Sequence, residues 1–288
     1  MAQLTKRLSY NVEGPCFVDS TCIDCSVCDW IAPEIFGHQE GTSFVKKNPQ
    51  TAQELVHFQM SLLSCPTNSI GDQDKRPIRE AMDALPCLIE DDVYFCGFTS
   101  HKSYGAQSYF VKHPEGNWLI DSPSMRPYLV ERFKELGGLK FIFITHQDDI
   151  ADAFHYAELF NAQIIMHVKD AIDVKAIHLP VKRHDVTEMG AFTIIPTPGH
   201  TAGSLCVLYK DKFLFTGDHL YFDEKGLNVF SEYCWFDFEE QILSVEKLKK
   251  FPNVEWILPG HGGKKKIERG TFSNEIDRMM TMIKSTYK

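Results

Sequence analysis

Apolar residues recur along this chain in two rhythms. Short runs that are apolar at nearly every position predict strands, and longer runs with apolar residues three and four apart predict helices. The first strand group is ALPCLIE, VYFCGF, SYFVKH and NWLID (84–90, 93–98, 108–113, 117–121). Helices and strands then alternate: PYLVERFKEL (127–136) as helix, LKFIFITH (139–146) as strand, DDIADAFHYAELF (148–160) as helix, AQIIMHV (162–168) as strand. Strands return in GAFTIIPT, SLCVLYK and KFLFTGD (190–197, 204–210, 212–218), followed by helix EEQILSVEKLKKF (239–251), strand VEWILPG (254–260) and a closing helix around 271–286. Strand runs interleaved with helices at both ends fit an α/β fold with a two-sheet core covered by helices. The pattern contains no internal repeat and no low-complexity tract.

Charge separates the first residues from the rest. Residues 1–74 carry Lys6, Arg7, Lys46 and Lys47 against nine Asp and Glu, a net of -5 out of -9 for all 288 residues. The polar, Gly- and Pro-containing GDQDKRP (71–77) reads as a linker. The expected organisation is therefore a small domain over 1–74, a linker over 75–83 and a large domain over 84–288. The acidic balance argues against a nucleic-acid backbone or an anionic membrane surface as partner. No apolar run approaches a membrane span, and MAQLTKRLSYNVEG lacks the apolar stretch of a signal peptide. A cytoplasmic protein is expected.

Nine cysteines stand out against that background, and five of them, Cys16, Cys22, Cys25, Cys28 and Cys65, fall within the small domain. An odd total in a reducing compartment, tightly clustered, favours metal binding over a disulfide framework. Cys22-x2-Cys25-x2-Cys28 places three thiols in one short loop, and Cys65, followed at once by Pro66, offers a fourth. Iron–sulfur clusters are held by thiolates in this kind of run with a C-P cysteine. A zinc site or a set of buried thiols is the alternative, although zinc sites usually pair two C-x2-4-C knuckles and this region has one triplet. Cys16 lies outside the pattern and reads as a small buried apolar residue.

Among twelve histidines, position selects those that follow an apolar strand beside Gly, Pro or Asp. His146 ends LKFIFITH, His200 sits in the turn of IIPTPGHTAGS, Asp218 ends KFLFTGD, and His261 ends WILPGH. Loops at the ends of a rigid sheet position side chains well enough to ligate a metal.

DSTCIDCSVCDWIAPEIF and SLLSCPTNSIG, over roughly residues 8–72, resemble the single-cluster bacterial ferredoxins. The resemblance implies one [4Fe-4S] cluster on Cys22, Cys25, Cys28 and Cys65, in a small α+β domain that exchanges electrons with a partner protein. From about residue 84 to the end, the ordered motifs resemble the metallo-β-lactamase superfamily: His146 at the first histidine of H-x-H-x-D-H, His200 in P-G-H-T-x-G-S, Asp218 in T-G-D and His261 in P-G-H-G. That resemblance implies an αββα sandwich with one or two divalent metals at its rim, and Asp218 and Asp148 as catalytic residues.

The first motif departs from the family. Here it reads His146-Gln147-Asp148-Asp149-Ile150-Ala151-Asp152, with Asp148 at the second histidine and Ile150-Ala151 at the D-H pair. Asp149 or Asp152 supplies the missing carboxylate from a shifted register, unless these acids only cap the helix and complement its dipole. Replacing imidazole by carboxylate hardens the site and shifts preference from zinc towards iron or manganese. The flavodiiron members also carry a carboxylate there, but this chain has no room for their flavin domain.

The resemblance implies a metal-activated water attacking an ester, thioester or related bond. Two other readings stand beside it: an oxidoreductase whose mono- or di-iron centre is fed by the ferredoxin domain, and a non-catalytic electron carrier or sensor. The step of 43 positions from Asp218 to His261 leaves no space for the inserted domain of RNA-processing members. The 27 residues after His261 leave none for a full glutathione-binding extension. Lys264, Lys265 and Lys266 either attract an anionic substrate or form a solvated face. Phe98, Tyr104, Tyr221 and Phe222 flank strand ends and either line the pocket or pack in the core.

Overall fold

Residues 2–171, 173–182 and 185–286 are described by a computed structural model. They divide into two units, Met1–Lys140 with Ala151–Asn161, and Phe141–Ile150 with Ala162–Lys288.

In the first unit, β1 (Cys16–Val18) precedes α1 (Val27–Ile31), the hairpin β2 (Phe36–Gln39) and β3 (Thr42–Val45), α2 (Ala52–Ser64), and β4 (Ile70–Asp72), which returns antiparallel to β1. The Thr51 hydroxyl starts α2 by accepting from the Glu54 N–H at 3.1 Å, while the Glu54 carboxylate accepts from the Gln50 N–H at 2.7 Å. One first-turn donor that the helix itself leaves open, and the N–H of the residue before the cap, are thereby satisfied. Phe58 of α2 stacks on Phe36, centroids 5.9 Å apart, in a core shared with Cys16, Val18, Ile35, Val45 and Ile70. Buried Asn11 ties the strands together, its side-chain oxygen accepting from the N–H groups of Val18 at 3.0 Å and Val45 at 2.9 Å. After α3 (Arg79–Asp83), the strands β5 (Cys87–Glu90), β6 (Val93–Phe95), β7 (Tyr109–Val111) and β8 (Trp118–Ile120) form an antiparallel meander, followed by α4 (Pro127–Glu135).

In the second unit, β9 (Phe141–Phe143), β10 (Gln163–His167) and β11 (Leu179–Val181) pair in parallel. The near-continuous apolar runs FIF and IIM suit strands covered on both faces. Then come β12 (Thr187–Met189), β13 (Phe192–Pro196), β14 (Leu205–Tyr209), β15 (Phe213–Gly217), the hairpin β16 (Tyr221–Asp223) and β17 (Gly226–Asn228), α6 (Phe238–Leu248), β18 (Trp256–Pro259), β19 (Lys265–Lys266) and α7 (Phe272–Thr286). The second sheet has the order β12-β13-β14-β15-β18-β19, antiparallel except where β15 meets β18. Phe272, Ile276, Met279, Met280 and Ile283 recur at three- and four-residue steps on one face of α7. They pack with Leu214, Ile257, Val245 and Leu248 into one core.

The helix expected over 148–160 is shorter. Gln147–Asp149 form a separate 3-10 turn, Ala151 adopts a left-handed backbone with φ 38°, and α5 spans only Ala153–Phe160. Asp148 and Asp149 are thus released from a helical register. Among the described residues no helix is long and apolar enough to cross a membrane.

Candidate metal centre and cysteine pocket

Four strand ends of the second unit carry the selected side chains. β9 continues through Ile144 and Thr145 to His146, β13 runs into the turn bearing His200, β15 gives way to Asp218, and β18 leads through Gly260 to His261. His146 and His200 are only 1% and 2% exposed, so their imidazoles sit where bulk water cannot satisfy them. The Thr145 hydroxyl lies 3.0 Å from His146 Nδ1 and fixes the ring.

The Nε2 atoms of both histidines face the same two carboxylate oxygens. His146 Nε2 is 3.8 Å from Asp148 Oδ2 and 3.5 Å from Asp218 Oδ2; His200 Nε2 is 3.7 Å and 3.8 Å from the same atoms. These are too long for hydrogen bonds. They match the separation of two ligands that each stand about 2.0–2.2 Å from a shared ion. Neither ring nitrogen of His200, nor Nε2 of His261, has a hydrogen-bond partner among the described residues. A buried imidazole such as that of His200, without a partner on either nitrogen, is costly by itself, and a divalent cation is the group that such a donor set fits.

On the other side of the His146 ring, Asp149 Oδ2 lies 3.8 Å from Nδ1, and Asp149 forms a second potential ligand group with His146 and Asp218. Asp149 is fully buried. Asp152 has other partners: Lys102 Nζ donates to its Oδ1 at 2.6 Å and the Met125 N–H to its Oδ2 at 2.8 Å. It occupies the N-cap position of α5 without a side-chain capping bond. Of the two acids left open by the sequence, Asp149 is the one grouped with His146 and Asp218.

His261 Nδ1 is 2.8 Å from Asp218 Oδ1 and 2.9 Å from Oδ2, and the His261 backbone N–H donates to Oδ1 at 3.1 Å. Burial would raise the Asp218 carboxyl, but the His261 charge, the hydrogen bonds from His261 and the facing His146 imidazole hold it well below the ordinary carboxylate range. Burial pulls His261 the other way, downward, and the Asp218 charge and hydrogen bond raise it to about 9. Facing His200 and His146 likewise holds Asp148 below its usual value against burial. The approach is tight: a Cβ on Gly260 would stand 2.7 Å from Asp149 Oδ2 and 2.8 Å from Asp218 Oδ1. Only glycine leaves that gap open.

One residue of this centre escapes the motif reading. Asp170, buried, accepts from the Gln147 N–H at 3.1 Å, the Thr201 hydroxyl at 2.5 Å and the Gly203 N–H at 2.7 Å. It therefore ties the turn between His146 and Asp148 to the turn after His200. Its signal was present, since it ends the apolar run IIMHVKD just as the selected residues end theirs. The flanking aromatics divide: Phe98 and Phe222 are buried, Tyr104 is exposed, and Tyr221 is half-buried. Lys265 and Lys266 are exposed, with Lys265 Nζ 4.8 Å from the Phe222 ring centre.

The first unit gathers Cys22, Cys25, Cys28 and Cys65 around one pocket with Val18, Ile23, Val27 and Ile70. Asp24 and Ser26 take left-handed backbone angles on either side of Cys25, which turns the loop tightly enough for its thiols to converge. The Ser69 N–H donates to Cys65 Sγ at 3.2 Å. Burial raises the thiols of Cys22 and Cys28, and that of Cys25 to about 12. A cationic iron centre offsets that penalty by stabilising the thiolates, so the donor set fits a cluster. Gly105 closes the pocket with φ 89°; a Cβ there would stand 2.7 Å from Cys25 Cβ and 3.1 Å from Pro66 Cγ. Cys16 is fully buried as expected, with Arg76 Nη2 donating to its sulfur at 3.0 Å.

Comparison with known proteins places a family on each part of the chain. Residues 18–72 match the family described as the 4Fe-4S single cluster domain of Ferredoxin I, and residues 86–275 match the Metallo-beta-lactamase superfamily. The hydroxyacylglutathione hydrolase of Rhizobium etli is 31% identical over 140 residues, 46% of this chain and 52% of that protein. The enzyme of the same name from Brucella ovis is 36% identical over 109 residues, 35% of this chain and 42% of that protein. The chain thus spans about half the length of the curated relatives it matches. Among solved structures, a metallo-beta-lactamase from Pontibacter korlensis superposes with a TM-score of 0.51 at 19% identity, covering 66% of this chain and 97% of that one. DIM-1 metallo-beta-lactamase gives 0.51 at 17% identity, covering 66% and 95%. At such identities the likeness is one of fold, and it agrees with the sandwich class expected from the motifs. The chain belongs to the metallo-beta-lactamase superfamily and carries a single-cluster 4Fe-4S ferredoxin domain ahead of that fold.

Proposed function

We propose that this protein is a metal-dependent hydrolase acting on an ester, thioester or related bond of a small molecule, with the 4Fe-4S domain as its electron-transfer module. The observation that carries this reading is the convergence of His146 Nε2, His200 Nε2, Asp148 Oδ2 and Asp218 Oδ2, with nitrogen–oxygen separations of 3.5–3.8 Å. A divalent metal held by these residues supplies Lewis acidity towards a carbonyl and activates a water. Asp149, His261 and the shared Asp218 are the residues for a second ion.

The chain's own groups do the rest. Asp218 is kept ionised by the two N–H donors of His261, which also fix its orientation. Asp148 has a side chain 39% exposed, in contrast to buried Asp149, so it is the carboxylate that an incoming water or substrate reaches. We assign Asp148 the role of proton acceptor and Asp218 that of holding and orienting the attacking group. The functional division follows 1–74 and 84–288, with an electron-transfer protein as partner of the first part. A reducing, cytoplasmic setting accords with nine cysteines that form no disulfide among the described residues.

Metal analysis by mass spectrometry after anaerobic purification, paired with hydrolysis of an ester and thioester panel, tests the reading. One or two divalent ions per chain beyond the cluster iron are expected, with turnover abolished in Asp218→Ala. A large domain free of metal under those conditions would sink it. A second reading has its own support in Asp148: a set of two or three imidazoles with two or three carboxylates is hard enough to prefer iron or manganese to zinc. In that case the centre is redox-active and the ferredoxin domain feeds it. Anaerobic titration with reductant separates the two, because only the cluster signal responds if the second centre is zinc.

A further inference from the structure

The loop between β17 and α6 is fastened to the turn that carries His200. The Trp235 and Phe236 N–H groups donate to the His200 carbonyl at 2.9 and 3.2 Å, the Asp237 N–H donates to the Gly199 carbonyl at 3.0 Å, and the Cys234 thiol donates to that same oxygen at 3.1 Å. A loop held this firmly to a metal-ligand turn would be expected to bury its large apolar side chains. Instead Tyr233, Trp235 and Phe236 are 56%, 63% and 52% exposed.

These rings form a continuous series. Tyr221 stacks on Phe230 with centroids 3.9 Å apart and planes 8° from parallel; Phe230 meets Tyr233 edge-on at 6.2 Å, and Tyr233 meets Trp235 edge-on at 6.3 Å. The inner end lies beside the second ligand turn, because a Cβ on Gly262, next to His261, would stand 2.4 Å from the Tyr221 ring. One row of aromatics therefore borders the candidate metal centre from the His261 turn to the His200 turn. Exposed aromatic faces attract flat or apolar groups by stacking and by removal of apolar surface from water.

Charge says which such group fits. Residues 221–240 contain Asp223, Glu224, Glu232, Asp237, Glu239 and Glu240 against Lys225 alone. An anionic body approaching the row meets this field unfavourably. The lysines at 264–266 follow Gly263, which bridges to Phe222 beside Tyr221, so positive charge stands at the inner end of the row, whereas Glu232 and Asp237 flank Tyr233 and Trp235 along the chain. We propose that Tyr221, Phe230, Tyr233 and Trp235 form a substrate-recognition platform that stacks the neutral, planar apolar body of an ester or thioester and presents its carbonyl to the metal centre. This deepens the hydrolase reading above by naming the substrate class: neutral aryl esters and thioesters in preference to carboxylate-bearing thioesters such as those of glutathione.

Calorimetric titration of the purified full-length protein with 2-naphthamide, which carries a flat ring and no hydrolysable ester, reads the platform without requiring turnover. Saturable binding is expected, at least tenfold weaker in the Trp235→Ala, Tyr233→Ala double variant, retained in Trp235→Phe, and weaker for the anionic 2-naphthoate than for the amide. Trp235→Phe guards against misfolding of the loop as the cause of a loss. Equal binding by the double alanine variant, no binding by the wild type, or tighter binding of the carboxylate would overturn the proposal. Binding of the amide with the expected pattern, combined with no hydrolysis of 2-naphthyl acetate by the metal-loaded protein, would leave the platform standing and remove the hydrolase reading instead.

Discussion

The carboxylate of Asp170 joins Thr201 to the turn that holds Asp148. Its Oδ2 accepts the Thr201 hydroxyl at 2.5 Å and the Gln147 N–H at 3.1 Å. The turns on which His146, Asp148 and His200 stand are thus held together by one buried acid. Asp170→Ala removes three bonds to a charged acceptor and leaves buried donors unmet. We expect a loss of about 3 kcal/mol in stability and a 10- to 100-fold weaker metal affinity. Chelator competition with zinc or iron(II), alongside thermal unfolding, measures both; unchanged affinity would show that Asp170 supports the fold alone.

Gly260→Ala places a methyl group between Asp149 and Asp218, where no more than 2.8 Å is available on either side. The two carboxylates must separate, at a cost of about 1–3 kcal/mol from overpacking. The expected result is a folded protein with reduced metal stoichiometry and little hydrolysis, checked by metal analysis and circular dichroism. Retention of full metal content would mean that the Asp149–Asp218 pair is not needed to hold the ion.

Cys65→Ser should remove the brown colour of the cluster while leaving the metal of the second unit bound, because His146, Asp148, His200 and Asp218 are all contributed by that unit. Absorption spectra and separate iron and zinc counts on anaerobically prepared protein decide this. A coloured variant with unchanged iron would exclude Cys65 as a ligand.

The Asp72–Arg76 pair gives the first unit an acid-sensitive contact. Burial would raise Asp72, but the Arg76 guanidinium, donating from Nε at 2.8 Å and from Nη2 at 3.0 Å, lowers it below 3.8. A carboxyl depressed on folding contributes stability above its unfolded value that disappears as pH falls through the folded one. Asp72→Asn should therefore cost about 1.5–3 kcal/mol at pH 7 and progressively less below about pH 4. Melting temperatures of the two proteins across that range should converge on acidification; parallel curves would refute the assignment.

The strand ends were readable because each buried strand is a short apolar run that stops at a polar residue. His146, His200, Asp218 and His261 all follow that rule, and β9, β13, β15 and β18 lie within the segments predicted for them. The N-terminal boundary of α5 was not readable, because Asp148, Asp149 and Asp152 look alike as helix-start residues. Tertiary partners that no local pattern reveals, His146 for Asp149 and Lys102 with Met125 for Asp152, distinguish them. Asp170 was missed for a related reason: its three donors are brought together from two turns that sequence separates by more than fifty residues. The aromatic row depends likewise on a loop path that hydropathy, which expects such residues inside, gives no reason to suppose.

Gly105, which closes the cysteine pocket over Cys25 and Pro66, belongs to the loop that follows β6. The Thr99 hydroxyl on the same loop donates to the Ser64 carbonyl at 2.6 Å, one residue before Cys65. During synthesis the four cysteines leave the ribosome well before this lid exists. Genetic transplantation of residues 1–74 alone would deliver the ligands without the cover, and the orphaned module should lose its cluster to oxygen faster than the fused protein does.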